Sequence, residues 1–319
     1  MPVPVDVQIP YVEQAEIVID GQASEALWAE APVFDDFHAY HPRPDAEVPG
    51  GSRVRVLTDS KGIYFLFEVF EPDPSQVWAH LTRRDRVWRD DTVGIYLDPA
   101  GDGQRGYLFI ANAYGVQADA VRVANQRDSF SWDGRWSSVG VKTETGFQVE
   151  FGIPWSSVRH PAVADQIGLS FLRSIARMGQ RSGYPRRDPD IQGILVQQAV
   201  VGGPGELPAN QPLQIMPELT AGYTQDGPVE GRWGVAGVSP GLTLRYDPSA
   251  AFTTLGTINP DFSQVESDAS QIDINRRYAL YLSDRRPFFT EGSEWFKTEF
   301  SNLLYTRSMV QPRAGMRVT

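Results

Sequence analysis

The sequence predicts an all-β protein, an antiparallel sandwich of the jelly-roll kind followed by a second β-rich region. Short apolar or alternating runs recur along the chain at a spacing of roughly ten residues, and turn residues separate them. Aromatic residues make up 11% of the 319 residues and include eight tryptophans, an enrichment typical of sandwich cores and aromatic binding faces. Helical periodicity is confined to short segments.

In the first region, Ile63–Phe70 is apolar on both faces, as a central strand would be. Glu16–Ile19 is predicted as a strand before an Asp-Gly turn. Ala23–Ala31 is predicted as a short helix, with Ser24 as its N-cap and Trp28 facing inward. The remaining predicted elements are the strands Arg53–Leu57, Thr92–Leu97, Tyr107–Ala113, Val116–Val123, Phe147–Ile153 and Ile167–Leu172 and the one-turn helix Trp155–Val158. Their number and spacing favour a sandwich.

The chain then changes character. Gly179–Asp190 is predicted as a polar loop, and Gly202–Pro212, dense in glycine and proline, as a linker. We therefore expect two domains, residues 1–205 and 206–319. Leu213–Thr224 alternates between apolar and polar residues, which fits both a membrane barrel and an ordinary sheet with one buried face. The second domain is too short to close a barrel.

Composition excludes several classes of function. The net charge of −11 and pI near 4.9 argue against a nucleic-acid partner. The absence of cysteine excludes disulfides, thiolate zinc sites and cysteine nucleophiles. The sequence shows no signal peptide, no apolar run long enough for a transmembrane helix, and no familiar hydrolase or nucleotide-binding motif. We therefore do not expect an enzyme, although paired carboxylates leave a glycoside hydrolase as a weaker alternative.

The motif RVWRDDTVGIYLDP, at Arg86–Pro99, is the first candidate binding site. A tryptophan beside carboxylates and arginines suits a sugar, because the apolar face of a pyranose stacks on the indole and the charged groups bind its hydroxyls. The candidate ligand-binding residues here are Arg86, Trp88, Asp90 and Asp91. In the alternative, Trp88 belongs to the core and the two aspartates fix a turn.

The motif SWDGRWSS, at Ser131–Ser138, is the second candidate. Trp132 and Trp136 flank an Asp-Gly turn, so we expect at least one of them to be exposed at an end of the sandwich. In the alternative, both fill the core of a hairpin. Polar residues on the strands between the two motifs are expected to complete the floor of the site: Asn112, Gln117, Asp119 and Arg122.

A weak calcium motif begins at the end of the first candidate. Asp98 and Asp102 stand four residues apart around a glycine turn. Calcium takes six to eight oxygen ligands, and the sequence offers only two carboxylates here. We therefore expect at most a structural calcium ion.

These segments resemble a known family. IVIDGQASEALWAEAPVFDDF from Ile17, the Arg86–Pro99 and Ser131–Ser138 motifs and IGLSFLRSIAR are similar to family 9 carbohydrate-binding-like modules. More narrowly, they resemble the version that begins bacterial proteins of unknown function whose C-terminal region is similar to an outer-membrane β-barrel. NPDFSQVESD and RRPFFTEGSEWF resemble the signature of that C-terminal region.

The resemblance implies a non-catalytic saccharide-binding module, outside the cytoplasm, in the periplasm or outer membrane of a Gram-negative bacterium. It also implies loops braced by calcium and a sugar held between two tryptophans, here Trp88 with Trp132 or Trp136. Members continue well beyond the length of this chain, so we expect a truncated protein that contains only the first strands of a barrel. The alternative role is a plug or docking domain for an outer-membrane barrel involved in transport.

Overall fold

The computed structural model describes residues 3–13, 15–124, 126–130, 132–208, 213–222, 237–249, 252–260 and 313–318. The chain divides into two compact units, residues 1–209 and 210–319. Both units are built from β-strands, which confirms the predicted all-β class. Among the described residues, no helix is long and apolar enough to span a membrane.

The first unit contains one short helix, α1, at Leu27–Glu30, and thirteen strands among its described residues. The strands are β1 Val3–Gln8, β2 Val33–Phe34, β3 His38–His41, β4 Gly51–Thr58, β5 Gly62–Phe70, β6 Thr92–Asp98, β7 Arg105–Asn112, β8 Gln117–Val123, β9 Ser137–Thr143, β10 Gly146–Pro154, β11 Val163–Ile175, β12 Gln180–Tyr184 and β13 Ala199–Glu206. One-turn 3₁₀ helices lie at Pro74–Gln76, Trp155–Ser157, Ala176–Met178 and Leu195–Gln197.

These strands form two sheets. The larger has eight strands in the order β1-β13-β11-β6-β7-β8, with β12 pairing both β11 and β3. The smaller has five strands in the order β2-β4-β5-β10-β9. Pairing is antiparallel except between β1 and β13. This is the predicted antiparallel sandwich.

The main core lies between the two sheets and is largely aromatic. Phe67 of the smaller sheet packs edge-on against Phe171 of the larger sheet, with ring centroids 5.9 Å apart. Trp136 stacks on Phe151 at 5.5 Å with nearly parallel planes. Such contacts add to the free energy gained by burying the rings. One face of each central strand therefore points into this core.

The opposite face of the larger sheet carries a second, smaller apolar cluster. Outward-facing residues of β6 and β7, including Tyr96, Leu108 and Ile110, pack there with Ile194 and Leu195. Because successive side chains of a strand point to opposite faces, these residues alternate along β6 and β7 with the residues that fill the main core. This outer face provides the floor of the candidate site.

Four local predictions were wrong. Glu16–Ile19 is not a strand, and Ser24 does not cap α1, whose N-cap position is Ala26 without a side-chain bond. The predicted polar loop contains β12, and the predicted linker contains the end of β13. Gly203 is needed for close packing rather than for a turn, because a Cβ there would lie 2.2 Å from the carbonyl oxygen of Ala164.

The second unit contains an antiparallel sheet in the order β14-β15-β16-β17, with strands Leu213–Gly222, Gly237–Ser249, Phe252–Ile258 and Ala314–Val318. The predicted alternation over Leu213–Thr224 corresponds to β14. The two signature segments, NPDFSQVESD and RRPFFTEGSEWF, lie outside the described residues, except for Asn259 and Pro260 at the start of the first.

Candidate functional site

A cavity of about 350 Å³ opens on the outer face of the larger sheet. Its floor is formed by outward-facing residues of β6, β7 and β11: Gly94, Tyr96, Leu108, Ile110 and Leu172. Its walls come from loops and from β3, β8 and β12: Tyr40, Trp88, Arg122, Asp128, Phe130, Arg181 and Arg187. An apolar floor with a few polar wall groups is typical of small-ligand sites, and the volume lies in their usual range.

Trp88 forms an exposed aromatic wall of this cavity. Its side chain is 55% exposed, and its indole N–H donates to the carbonyl oxygen of Asp85 at 3.1 Å. Phe130 packs edge-on against it, with centroids 5.0 Å apart and planes at 82°. Because the N–H is satisfied and the ring is braced from the side, the indole presents a fixed apolar face.

Arg122 and Asp128 form a closed ion pair on another wall. Arg122 donates to both carboxylate oxygens, at 2.7 and 2.8 Å, and the hydroxyl of Tyr96 donates to the same carboxylate. Burial and the charge of Asp128 raise the pKa of Tyr96, so this hydroxyl keeps its proton. Asp128 is therefore fully occupied as an acceptor.

Arg187 lies on the wall next to Tyr40. The carbon of its guanidinium stands 3.9 Å from the centroid of the Tyr40 ring, a cation–π contact. Its Nη2 atom is buried and has no hydrogen-bond partner among the described residues. Burial lowers the pKa of Arg187. The Nη2 atom thus lacks an acceptor in the described part of the chain, and a ligand could supply one.

Asp90 and Asn112 are buried beneath Trp88 in a structural network. Asp90 accepts from the ring of His80 at 2.6 Å, from the backbone N–H of His80 and from Asn112 at 2.7 Å. The amide oxygen of Asn112 accepts from the backbone N–H groups of Tyr114 and Val116. Their polar atoms hold the loop that carries Trp88, so these bonds already occupy two of the residues that we predicted as sugar ligands.

Asp91 and Arg86, unlike Asp90, do not line the cavity. Asp91 is buried, and its carboxylate accepts from the backbone N–H groups of Trp78 and Ala176 at 3.0 and 2.7 Å. Burial raises its pKa despite these bonds. Arg86 is exposed. Of the first motif, then, Trp88 is exposed on the cavity wall, whereas the aspartates stabilise its loop.

The prediction that Trp132 or Trp136 is exposed beside the sugar was wrong. Trp136 is only 8% exposed, and Trp132 is partly buried with its ring 5.0 Å from that of Tyr107. Both pack against the main core, which was the alternative we left open. Asp119 and Gln117 lie behind them and accept from Arg84 at 2.8 and 2.6 Å.

The residues at Asp98 and Asp102 do not fit a calcium ion. One oxygen of Asp98 accepts from the N–H groups of Ala100 and Gly101, and the other accepts from Gly103 at 2.7 Å. Asp102 accepts from the N–H of Gln104. N–H donors directed at both carboxylates take the place that a cation would need, and the described residues contain no group of three metal-ligating side chains.

Sequence reasoning missed several cavity residues, including Tyr40, Phe130, Arg181 and Arg187. Phe130 adjoins the second motif, and the two arginines lie in the segment predicted as a polar loop. Their signal was the concentration of arginine in that segment. No sequence periodicity connected this segment to Trp88, because the segment reaches the cavity through the pairing of β12 with β3 and β11.

Residues 19–184 match the family model described as carbohydrate family 9 binding domain-like. The chain belongs to this family. Residues 212–315 match the model of a domain of unknown function (DUF5916). None of the curated proteins matches the sequence.

Solved structures similar to this family member include a candidate carbohydrate-binding protein from Bacteroides uniformis, at 16% identity and a TM-score of 0.47, covering 63% of this chain and 99% of that one. A family 9 carbohydrate-binding module from Caldicellulosiruptor kristjanssonii, solved with glucose, has 16% identity and a TM-score of 0.43 and covers 64% of this chain and 100% of its own. The same kind of module from that organism, solved with cellotriose, has 16% identity and a TM-score of 0.42, with coverage of 66% and 100%.

Proposed function

We propose that the first unit binds a saccharide in the cavity on the outer face of its larger sheet, without catalysing a reaction. The observation that carries this proposal is Trp88, an exposed indole held in a fixed orientation on the wall of a cavity of sugar-binding size. The apolar face of a pyranose stacks on the indole. The guanidinium groups of Arg181 and Arg187 then reach polar groups of the sugar.

The carboxylates argue for binding rather than hydrolysis. A glycosidase needs one carboxylate free to act as an acid and another as a base or nucleophile. The two carboxylates that line this cavity, Asp90 and Asp128, each accept hydrogen bonds from several neighbouring groups. Both carboxylates are held by these neighbouring donors, so we infer a non-catalytic role.

The test is calorimetric titration of the protein with a panel of mono- and oligosaccharides, using the Trp88→Ala variant. Loss of the stacking platform is expected to weaken binding at least about 5-fold, since aromatic contacts and the area they bury contribute about 1–3 kcal/mol.

The matched control is Trp78→Ala. Trp78 is 50% exposed and does not line the cavity, so its loss should leave the affinity unchanged. Equal affinity of the Trp88→Ala variant and the parent protein would contradict the proposed site. No heat with any saccharide would instead favour the alternative role as a plug or docking domain.

We also propose that the second unit faces lipid and that the protein resides in the outer membrane of a Gram-negative bacterium. Alternate residues of β14, including Leu213, Ile215 and Leu219, are apolar and exposed. On the other side of the same sheet, Thr243 and Thr257 are buried and hydrogen-bonded to each other at 2.9 Å. An outward apolar face over a polar inner face is the pattern of lipid-exposed strands in outer-membrane barrels. Recovery of the intact chain with lipid vesicles tests this.

A further inference from the structure

The charges around the cavity are not balanced. Asp128 is paired with Arg122. Arg173 also borders the cavity, but it is paired with Glu71 in the interior. Asp90 is bonded to His80 and Asn112. Arg181 and Arg187 make no ion pair with any residue that the structure describes. In a chain with a net charge of −11, the cavity wall therefore carries two arginines without a carboxylate partner.

Arg187 is the more informative of the two. It packs on Tyr40, and its buried Nη2 lacks an acceptor among the described residues. Leaving a buried donor of a charged group unsatisfied costs more free energy than leaving a neutral one, so an acceptor supplied by a ligand is strongly favoured. The positive charge of Arg122 also lowers the pKa of Arg187, because two nearby cations repel each other. An anionic acceptor would therefore be favoured further.

Arg181 lies at the edge of the cavity. It belongs to β12, where it is opposite Ser174 of β11 and His41 of β3, and its side chain is exposed. Both Ser174 and Arg181 line the cavity. One exposed and one buried guanidinium on the same wall suit a planar anion, because the forked donors of arginine match the two oxygens of a carboxylate.

We propose, on the basis of the saccharide-binding function above, that the ligand of this cavity is an acidic sugar, a uronate whose carboxylate accepts hydrogen bonds from Arg187 and Arg181. The pyranose ring then stacks on Trp88. A neutral hexose would fill the same space but would leave the cationic wall unpaired.

The test compares three sugars that differ only at C6: methyl β-D-glucuronide, its uncharged methyl ester and methyl β-D-glucoside. The galacto-configured set is titrated in parallel. We expect the intact chain to bind a uronide at least about 10-fold more tightly than the matched ester and neutral glycoside, since a hydrogen bond to a charged group contributes roughly that factor or more. The preference should weaken as salt is raised, because the exposed Arg181 is screened.

The variants assign the preference to residues. Arg187→Gln should remove the uronide preference, and Arg187→Lys should retain part of it because the charge remains without the fork. Arg181→Gln, a change on an exposed side chain, should reduce it about 3-fold and serves if the Arg187 variants fail to fold. The matched control is Arg186→Gln: the exposed Arg186 pairs with Asp45 and does not line the cavity, so the preference should not change.

Each other outcome has a definite meaning. If neutral and acidic sugars bind equally and Trp88→Ala weakens both, the saccharide function stands and the uronate proposal fails. If acetate binds as tightly as a uronide, the site takes carboxylates without a sugar and the proposal fails. If methyl glucoside 6-sulfate binds and the uronides do not, the anion is a sulfate ester. If no sugar binds, both proposals fail.

Discussion

At the scale of single residues, the buried carboxylates of the first unit show how hydrogen bonding and burial compete. Asp98 is 1% exposed and accepts three backbone N–H bonds that close the turn after β6. Burial nevertheless raises its pKa from the ordinary value of 3.8 to about 6, because the charged form loses more solvation than the three bonds return. Asp98 therefore makes stability depend on pH.

We predict that this dependence lies between about pH 4 and pH 7. Because the pKa is raised in the folded state, the contribution of Asp98 to stability is fully present below pH 3.8 and is lost as the pH rises through about 6. Raising the pH from 5 to 7 should cost about 1 kcal/mol through this group. In Asp98→Asn, the difference between the free energies of unfolding at pH 5 and pH 7 should shift by that amount.

Urea unfolding at the two pH values measures the effect. Asp98→Asn will also lower stability at both pH values, because the amide cannot accept all three bonds, so only the difference between the two is diagnostic. The control is Asp165→Asn on the exposed part of β11. A variant at position 98 with the same pH dependence as the parent would show that Asp98 is not the titrating group.

The residue types of the site were visible in the sequence, but their orientation was not. Trp88 lies in the irregular segment between Val77 and Asp91, where no strand periodicity assigns a side chain to a face. Trp136 directly precedes β9 and turns inward onto Phe151. The same uncertainty applied to Asp90, whose partner His80 lies ten residues away in sequence. Only the fold decides between exposure and burial here.

At the scale of elements, seven predicted strands of the first unit are present, including the edge strand β8, whereas β13 was missed although it pairs on both sides. β5 and β10 pair along nine residues, and the apolar residues on both faces of β5 identified it as a central strand. Glu16–Ile19 has the apolar run of a strand but no strand partner among the described residues. Ile19 packs on the outer face of β10 near Gly152 instead, so the apolar run reflects side-chain burial rather than strand pairing.

This N-terminal segment is held by one buried carboxylate. Glu150 of β10 accepts from the backbone N–H groups of Asp20 and Gly21 at 2.9 and 2.8 Å and from the indole N–H of Trp28 at 3.1 Å. We predict that Glu150→Ala lowers the free energy of unfolding by about 3 kcal/mol, because three donors lose their acceptor and a cavity forms. The melting temperature of a unit of this size should fall by about 6–12 °C.

Thermal unfolding monitored by circular dichroism checks this prediction. The matched control is Gln148→Ala, two residues earlier on the same strand and the same face, where the described residues show no side-chain hydrogen bond. Its change should stay within about 0.5 kcal/mol. Equal melting temperatures for the two variants would show that the Glu150 bonds do not hold the N-terminal segment.

At the scale of the whole molecule, the two units place their apolar residues differently. In the first unit, the large aromatic side chains lie between two sheets. In the second, the buried cluster among the described residues is only Leu255 with Met216 packed against it. The alternation predicted for both units is present, but period-two patterning identifies a face without saying whether it meets protein, water or lipid. That ambiguity could not be resolved from the sequence.

The exposed apolar face of the second unit gives the final prediction. If it contacts lipid, the intact chain should float with phospholipid vesicles in a density gradient, and Leu219→Arg should reduce the recovered fraction several-fold. Leu219 is 75% exposed on β14, and an arginine on a lipid-facing strand costs about 2–4 kcal/mol near the membrane centre and less near its surface. The control is Val18→Arg, at an apolar side chain that is 62% exposed in the first unit. Because both variants add the same charge to the same chain, equal recovery would mean that the charge alone sets the association and that the β14 face does not contact lipid.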